Sequence, residues 1–327
     1  MEEETKLHGM GWIRDLPDFR DFTPETETLT GGQKLARLEK GKSIGPEVGI
    51  KSATTQLKIA EAEEVVKAPS ATPVDLRGYC SPIEDQGSLG SCTAQAAVGL
   101  LEYFERRAKG IWIDASRLFV YKTTRNLLGW VGDTGAYVRT TMGALVLFGA
   151  PPEKYWPYTT RKQPGPAREK TFDDEPQAFD YSLARNYQAV SYFRYDTPGK
   201  SFATVLAQIK AWIKVGWPSM FGFSVYSSMG QAYSTGKIPL PASGDSFRGG
   251  HAVCAVGYND SIKIKNTKPG SPETTGALLI RNSWGTAWGG MGGYLWMPYD
   301  YVLRGLTADW WTLYNAEWVD SGNFGIK

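Results

Sequence analysis

The chain has 327 residues, 42% of them apolar, enough for a sizeable core in one large two-lobed domain or two smaller ones. A formal net charge of +2 gives no basis for a nucleic-acid or membrane-surface partner. No apolar run reaches the roughly 18 residues of a transmembrane helix, so no membrane role is expected.

The chain starts Met1-Glu2-Glu3-Glu4-Thr5-Lys6, acidic and without the apolar stretch of a secretory signal. The expectation is a protein that is cytoplasmic or secreted by a non-obvious route. Residues 11–24 mix aromatics, charges and prolines without helical or strand periodicity, the pattern of an extended arm that packs its aromatics on something else. Residues 25–72 hold no aromatic residue and read as a weak-core linker, with a short helix over Lys58–Lys67. From Pro73 the sequence is dense in core residues. Ser91 is placed to N-cap a helix from Cys92 to about Ala108, which Gly110 stops. Ser116 caps a second helix, Arg117–Asn126, and Arg139–Phe148 forms a third, ended by Gly149 and the Pro151-Pro152 pair. Arg161–Glu175 is a polar surface connection, and Phe202–Val215 an amphipathic helix. Strand patterns follow over Ser219–Val225, Ala252–Tyr258, Ala277–Arg281 and Tyr294–Met297, with Asn259–Gly276 as a long polar hairpin loop. Helices first and strands afterwards predict an α+β fold with two lobes and a cleft between them. The expected division is an arm and linker (1–72), a helical lobe (73–185) and a β-rich lobe (186–327).

Cys80, Cys92 and Cys254 are too few for a disulfide framework. There is no CxxC pair and no HExxH, so neither a metal site nor a cofactor is expected. Cys92 differs from the other two. It follows the glycine-rich run Gln86-Gly87-Ser88-Leu89-Gly90-Ser91 and opens a helix, where the helix dipole and free N–H groups favour a thiolate nucleophile. Gln86 offers an amide donor to a developing oxyanion. Of two histidines, His8 lies in the arm and is expected to be incidental, whereas His251 follows Gly249-Gly250 and opens an apolar strand. Asn282 stands in Asn282-Ser283-Trp284-Gly285. An imidazole takes the thiol proton, a carboxamide fixes its tautomer, and the Trp284 indole shields that bond from water.

QGSLGSC, GGHAVCAVGY and NSWGTAWG resemble the three active-site blocks of the papain-like cysteine peptidases, in the family's order. The resemblance spans about Pro73 to Tyr294. It implies Cys92 as nucleophile, His251 as its partner, Asn282 as orienter, and Gln86 with the Cys92 N–H as oxyanion hole. By position it also implies a substrate-binding strip at Gly135 and Ala136, with Gly250 lining the same cleft; substrate backbone there takes β-type hydrogen bonds. Leu89 stands where the family usually has a cysteine of a disulfide, and Thr93 where it usually has tryptophan. The separation of Cys92 and His251 exceeds the roughly 130–150 residues of papain-type spacing. The arm motif around Gly11-Trp12, together with Ser116-Arg117-Leu118-Phe119 and Trp156-Pro157-Tyr158, resembles a prokaryotic, xylellain-like branch whose N-terminal segment lies partly over the cleft. The implied function is a monomeric cysteine endopeptidase acting on peptide or protein substrates and inhibited by its own N-terminal segment. A transpeptidase or peptide ligase using the same thioester, and a non-catalytic peptide-binding homologue, are the alternatives.

Overall fold

The computed structural model describes residues 8–18, 21, 73–166, 169–187 and 191–314. The helix expected over residues 58–67 lies outside them. Helix α1, Cys92–Lys109, is buried along most of its length and ends at Gly110, whose φ of 75° needs a glycine. Small residues on α1 bring the sheet close. The Cys254 thiol lies 3.1 Å from the Ala96 carbonyl, and a Cβ at Gly99 would meet the Arg281 guanidinium at 2.4 Å. Ser91 does not cap α1; its hydroxyl pairs at 2.6 Å with that of Tyr158 instead. Ser116 does cap α2, Arg117–Leu128, accepting from the Phe119 N–H. Helix α3 is Val138–Leu147, and a short α4, Ala178–Ala184, was not foreseen. Ser201 caps α5, Phe202–Lys214, in the same manner as Ser116 caps α2.

The sheet is antiparallel, with strands in the order β2–β7–β3–β4–β5–β6. Its members are β2 (Ser191–Arg194), β3 (Ser219–Tyr226), β4 (Phe247–Lys265), β5 (Glu273–Arg281), β6 (Tyr294–Pro298) and β7 (Thr307–Tyr314). A two-residue β1, Val74–Asp75, joins β4 from the side. Neither β2 nor β7 was anticipated. The expected loop over residues 259–276 is mostly strand: β4 and β5 continue pairing out to Lys265 and Glu273, leaving only 266–272 as the connection. Polarity misled there, because the extension is solvent-facing on one side. The α+β expectation holds.

The topology carries the site. Phe223 on β3 faces His251 on β4, and Cys254 on β4 faces Arg281 on β5. Helix α1 packs on β4, where the Cys254 thiol meets the Ala96 carbonyl, so the Cys92 end of the helix lies against the strand that carries His251.

Candidate active site

The three sequence blocks converge. His251 is fully buried on β4, and its Nε2 lies 2.8 Å from Asn282 Oδ1, just past the end of β5. Nδ1 has no hydrogen-bond partner among the described residues. The Trp284 indole stacks on the His251 ring with centroids 4.5 Å apart, and is itself 6% exposed. It covers the His251–Asn282 bond from that side.

Gln86 is held at four points. Its N–H donates to the Ser283 carbonyl, and its Oε1 accepts from the Ser283 hydroxyl at 2.6 Å. Its own carbonyl accepts from the Tyr158 hydroxyl at 2.9 Å. With Oε1 committed, Nε2 must face the other way, where it donates to the carbonyls of Leu89 and Gly9, both at 2.8 Å. The residue beside Asn282 thus orients the amide that the sequence nominated for the oxyanion. Neither Ser283 nor Tyr158 was singled out beforehand, although each lies inside a quoted motif.

The loop before Cys92 is tied to the predicted substrate strip by Asp133. Its Oδ1 accepts from the Gly90 N–H at 2.9 Å and from the Tyr121 hydroxyl at 2.7 Å, and that hydroxyl in turn accepts from the Gly135 N–H. Leu89, where relatives place a cysteine, is buried in the core. In the strip, the main chain of Ala136, not that of Gly135, pairs with an extended segment.

That segment is the arm. The Gly9 N–H donates to the Gly87 carbonyl, Ala136 N–H to Gly11, Ile13 N–H to Ala136, and Trp12 N–H to Gly250. His8, expected to be incidental, stacks on Trp284 and sits 3.5 Å from Asp85. Trp12 is 9% exposed, and its indole N–H donates to Asp309 Oδ2 at 2.9 Å. Further along, Arg139 pairs with Asp15 and Asp21 and donates to the Leu16 carbonyl.

The arm sets the electrostatics. Burial pushes the Cys92 thiol up to about 11, against hydrogen bonds from the backbone of Ala252, Gly11, Thr93 and Trp12 that favour the thiolate. Burial likewise pulls His251 down to about 4, despite the opposing bond to Asn282. Burial therefore opposes the thiolate expected from the helix terminus and favours the neutral forms of both thiol and imidazole. Cys254 is also buried, and burial pushes its thiol up to about 12, which agrees with a core role.

Among the described residues no group of acidic, histidine or cysteine side chains is arranged to hold a metal ion, and no helix is long and apolar enough to cross a membrane.

The sequence matches the family described as papain family cysteine protease over residues 70–305. A peptidase C1-like protein of Acanthamoeba polyphaga mimivirus is 31% identical over 321 residues, spanning 96% of this chain and 89% of its own length. Cathepsin K of Gallus gallus is 28% identical over 230 residues, 69% of this chain and 58% of its own length. Among solved structures, xylellain, a cysteine protease from Xylella fastidiosa, superposes with a TM-score of 0.67 at 30% identity, covering 97% of this chain and 99% of that one. With the family match running across most of its length, the chain belongs to the papain family of cysteine proteases and is a papain-like cysteine peptidase.

Proposed function

We propose that this peptidase is an endopeptidase working through a Cys92 thioester and that its own N-terminal segment, residues 1–72, holds it in an inactive state. The observation that carries the first part is the commitment of His251: Nε2 is taken by Asn282, which leaves Nδ1 as the atom for the thiol proton. Cys92 Sγ attacks the scissile carbonyl carbon as its proton passes to His251. The carbonyl electrons move onto oxygen, and the oxyanion accepts hydrogen bonds from Gln86 Nε2 and the Cys92 N–H. Collapse of the tetrahedral species breaks the C–N bond, and the imidazolium gives its proton to the departing amine. Water, deprotonated by His251, then adds to the acyl carbon; the C–S bond breaks, the acid product leaves and the imidazolium returns its proton to the Cys92 sulfur.

The arm supports the second part. Gly9 puts a carbonyl on the oxyanion donor Gln86, and the backbone of Gly11 and Trp12 lies close enough to the Cys92 thiol to influence its ionisation. The arm thus pairs with the Gln86 amide and with the main chain of Ala136 and Gly250, the groups expected to receive substrate. In this reading residues 1–72 act as a prosegment on a monomer whose helical (73–185) and β-rich (186–327) lobes frame the cleft, and activation needs a cut around residues 55–72.

Cys92→Ala is expected to abolish both hydrolysis of peptide substrates and labelling by a thiol-alkylating epoxide. Unchanged hydrolysis by that variant overturns the thioester mechanism. Product analysis with an added amine nucleophile separates hydrolysis from acyl transfer.

A further inference from the structure

The pocket that takes the Trp12 indole has walls shaped by glycine and a charged floor. A Cβ at Gly222 on β3 would lie 1.9 Å from the indole, and one at Gly250 would lie 2.4 Å from the Trp12 carbonyl and 2.7 Å from the ring. Glycine in a strand interior costs strand stability and marks a close approach. Here two neighbouring strands bear that cost at one spot, and the space so made fits an indole. At its floor stands Asp309, fully buried at the start of β7. Its φ of 59° is the only positive value at a non-glycine among the described residues. Such a conformation persists only when the surroundings impose it. They do: Asp196 accepts from the Asp309 and Trp310 N–H groups at 2.8 and 3.0 Å, and Arg194 pairs with both carboxylates at 2.9 Å. This framework belongs to β2, β7 and the turn after β2, not to the arm. Asp309 Oδ1 faces Arg194, which leaves Oδ2 aimed at the pocket, where it takes the indole N–H and the Asp15 N–H.

We propose that the Trp12 pocket is a substrate-selecting pocket of the peptidase, and that Asp309 makes it prefer a large side chain ending in an N–H donor, with tryptophan foremost, over an aliphatic or donor-less aromatic one. The inference rests on the peptidase reading above and on the pocket opening beside His251, through Gly250. A substrate lacking the donor leaves Oδ2 buried and unpaired, and a site built around a hydrogen bond rejects the analogue that cannot make it far more strongly than an apolar pocket rejects a missing methylene. The arm, on this view, is held by the same recognition that selects substrate.

The test uses the full chain carrying Trp12→Ala, which vacates the pocket and touches no reacting group. Internally quenched peptides differ at one residue, tryptophan, naphthylalanine or leucine, placed in turn at each of the two positions preceding the scissile bond. Naphthylalanine matches the indole in size and lacks its N–H. At one position the tryptophan peptide is expected to exceed both others by ~10-fold or more in kcat/KM, as for a hydrogen bond to a charged acceptor. Asp309→Asn keeps an acceptor and retains part of that ratio, whereas Asp309→Leu brings tryptophan and naphthylalanine level. Equal rates for tryptophan and naphthylalanine with Asp309 intact overturn the inference, whatever the fate of the Asp309 variants. Protection of Cys92 from an alkylating epoxide by the same peptides reads the pocket without turnover. A labelled Cys92 with no cleavage of any peptide overturns the peptidase reading alone, and protection without tryptophan preference overturns the pocket alone.

Discussion

Trp12→Ala in the full chain is expected to expose Cys92. Removing a buried aromatic side chain costs about 3–5 kcal/mol. Area gives a similar figure: the ~150–250 Å² that an indole buries, at ~25 cal/mol per Å², amounts to ~4–6 kcal/mol as an upper bound. The alanine variant still keeps the arm's backbone bonds to Gly87, Ala136 and Gly250 and the Arg139 pairs with Asp15 and Asp21. Some of the lost burial is recovered as water refills the pocket, so about 3 kcal/mol is the expected loss, or roughly a hundredfold rise in the open fraction at 1.36 kcal/mol per decade. Two rates follow that fraction: alkylation of Cys92 by an epoxide, and hydrolysis of a fixed peptide. Both are expected to rise together, about a hundredfold, at unchanged melting temperature of the remaining fold. Trp12→Phe separates the two contributions, because it keeps most of the ring and loses the bond to Asp309; a tenfold rise is expected. Rates within threefold of the parent for Trp12→Ala would refute the reasoning, since the arm would then not govern access to the thiol.

Ser283→Ala frees the Gln86 amide to rotate and is expected to lower kcat about fivefold with KM unmoved, the worth of one neutral hydrogen bond, whereas Gln86→Ala loses ~10²–10³ in kcat. Asp133→Leu orphans the Gly90 N–H and the Tyr121 hydroxyl; kcat/KM is expected to fall about tenfold and the melting temperature by several degrees, read by steady-state kinetics and calorimetry. Acid is expected to loosen the arm. Burial lowers His251 from 6.5 to about 4, so the covered state binds fewer protons than an exposed imidazole; its advantage is full above pH 6.5 and is lost by ~1.4 kcal/mol per unit as pH falls toward 4, seen as faster exchange of the Gly11 and Trp12 amides. Asp309, which burial raises to about 6, opposes this only so far as departure of the arm rehydrates it, and Asp309→Asn removes that contribution.

The candidate catalytic groups were legible because each sits in a local pattern whose chemistry is local: a cysteine at a helix start, a histidine after two glycines, a carboxamide just past a strand. What they lacked was support from far away. Trp12 and Asp309 are 297 positions apart, and no feature of the sequence near residue 309 marks a floor to a pocket. The glycines at 222 and 250 were the available signal, since glycine inside an apolar strand means that something comes close, but only the fold says what. Ser91 shows the opposite failure. Its sequence position is right for a cap, and Tyr158 took its hydroxyl instead, so tertiary pairing overrode local preference. The loop expected over 259–276 failed because polar residues on one face of a two-stranded extension look, in sequence, like a loop.

The arm also changes what the opening of α1 can do. A cysteine at a helix N-terminus is expected to ionise readily, and that address is unaltered here. Yet burial raises Cys92 to about 11 and lowers His251 to about 4. Moving the proton from sulfur to imidazole runs against both shifts, so burial opposes the thiolate–imidazolium pair in the covered site. The backbone of Gly11 and Trp12 favours the thiolate and is outweighed by the burial of the sulfur. On the proposed reading, covering the cleft blocks substrate and disfavours the charged nucleophile together. On the same reading, departure of the arm reverses both at once, while the His251–Asn282 bond and the His251–Trp284 stack are made without the arm. The separation is sharp enough to measure: Cys92 in the closed chain should react with alkylating agents as a buried thiol, with a rate that tracks arm opening, and not as a thiolate of low pKa.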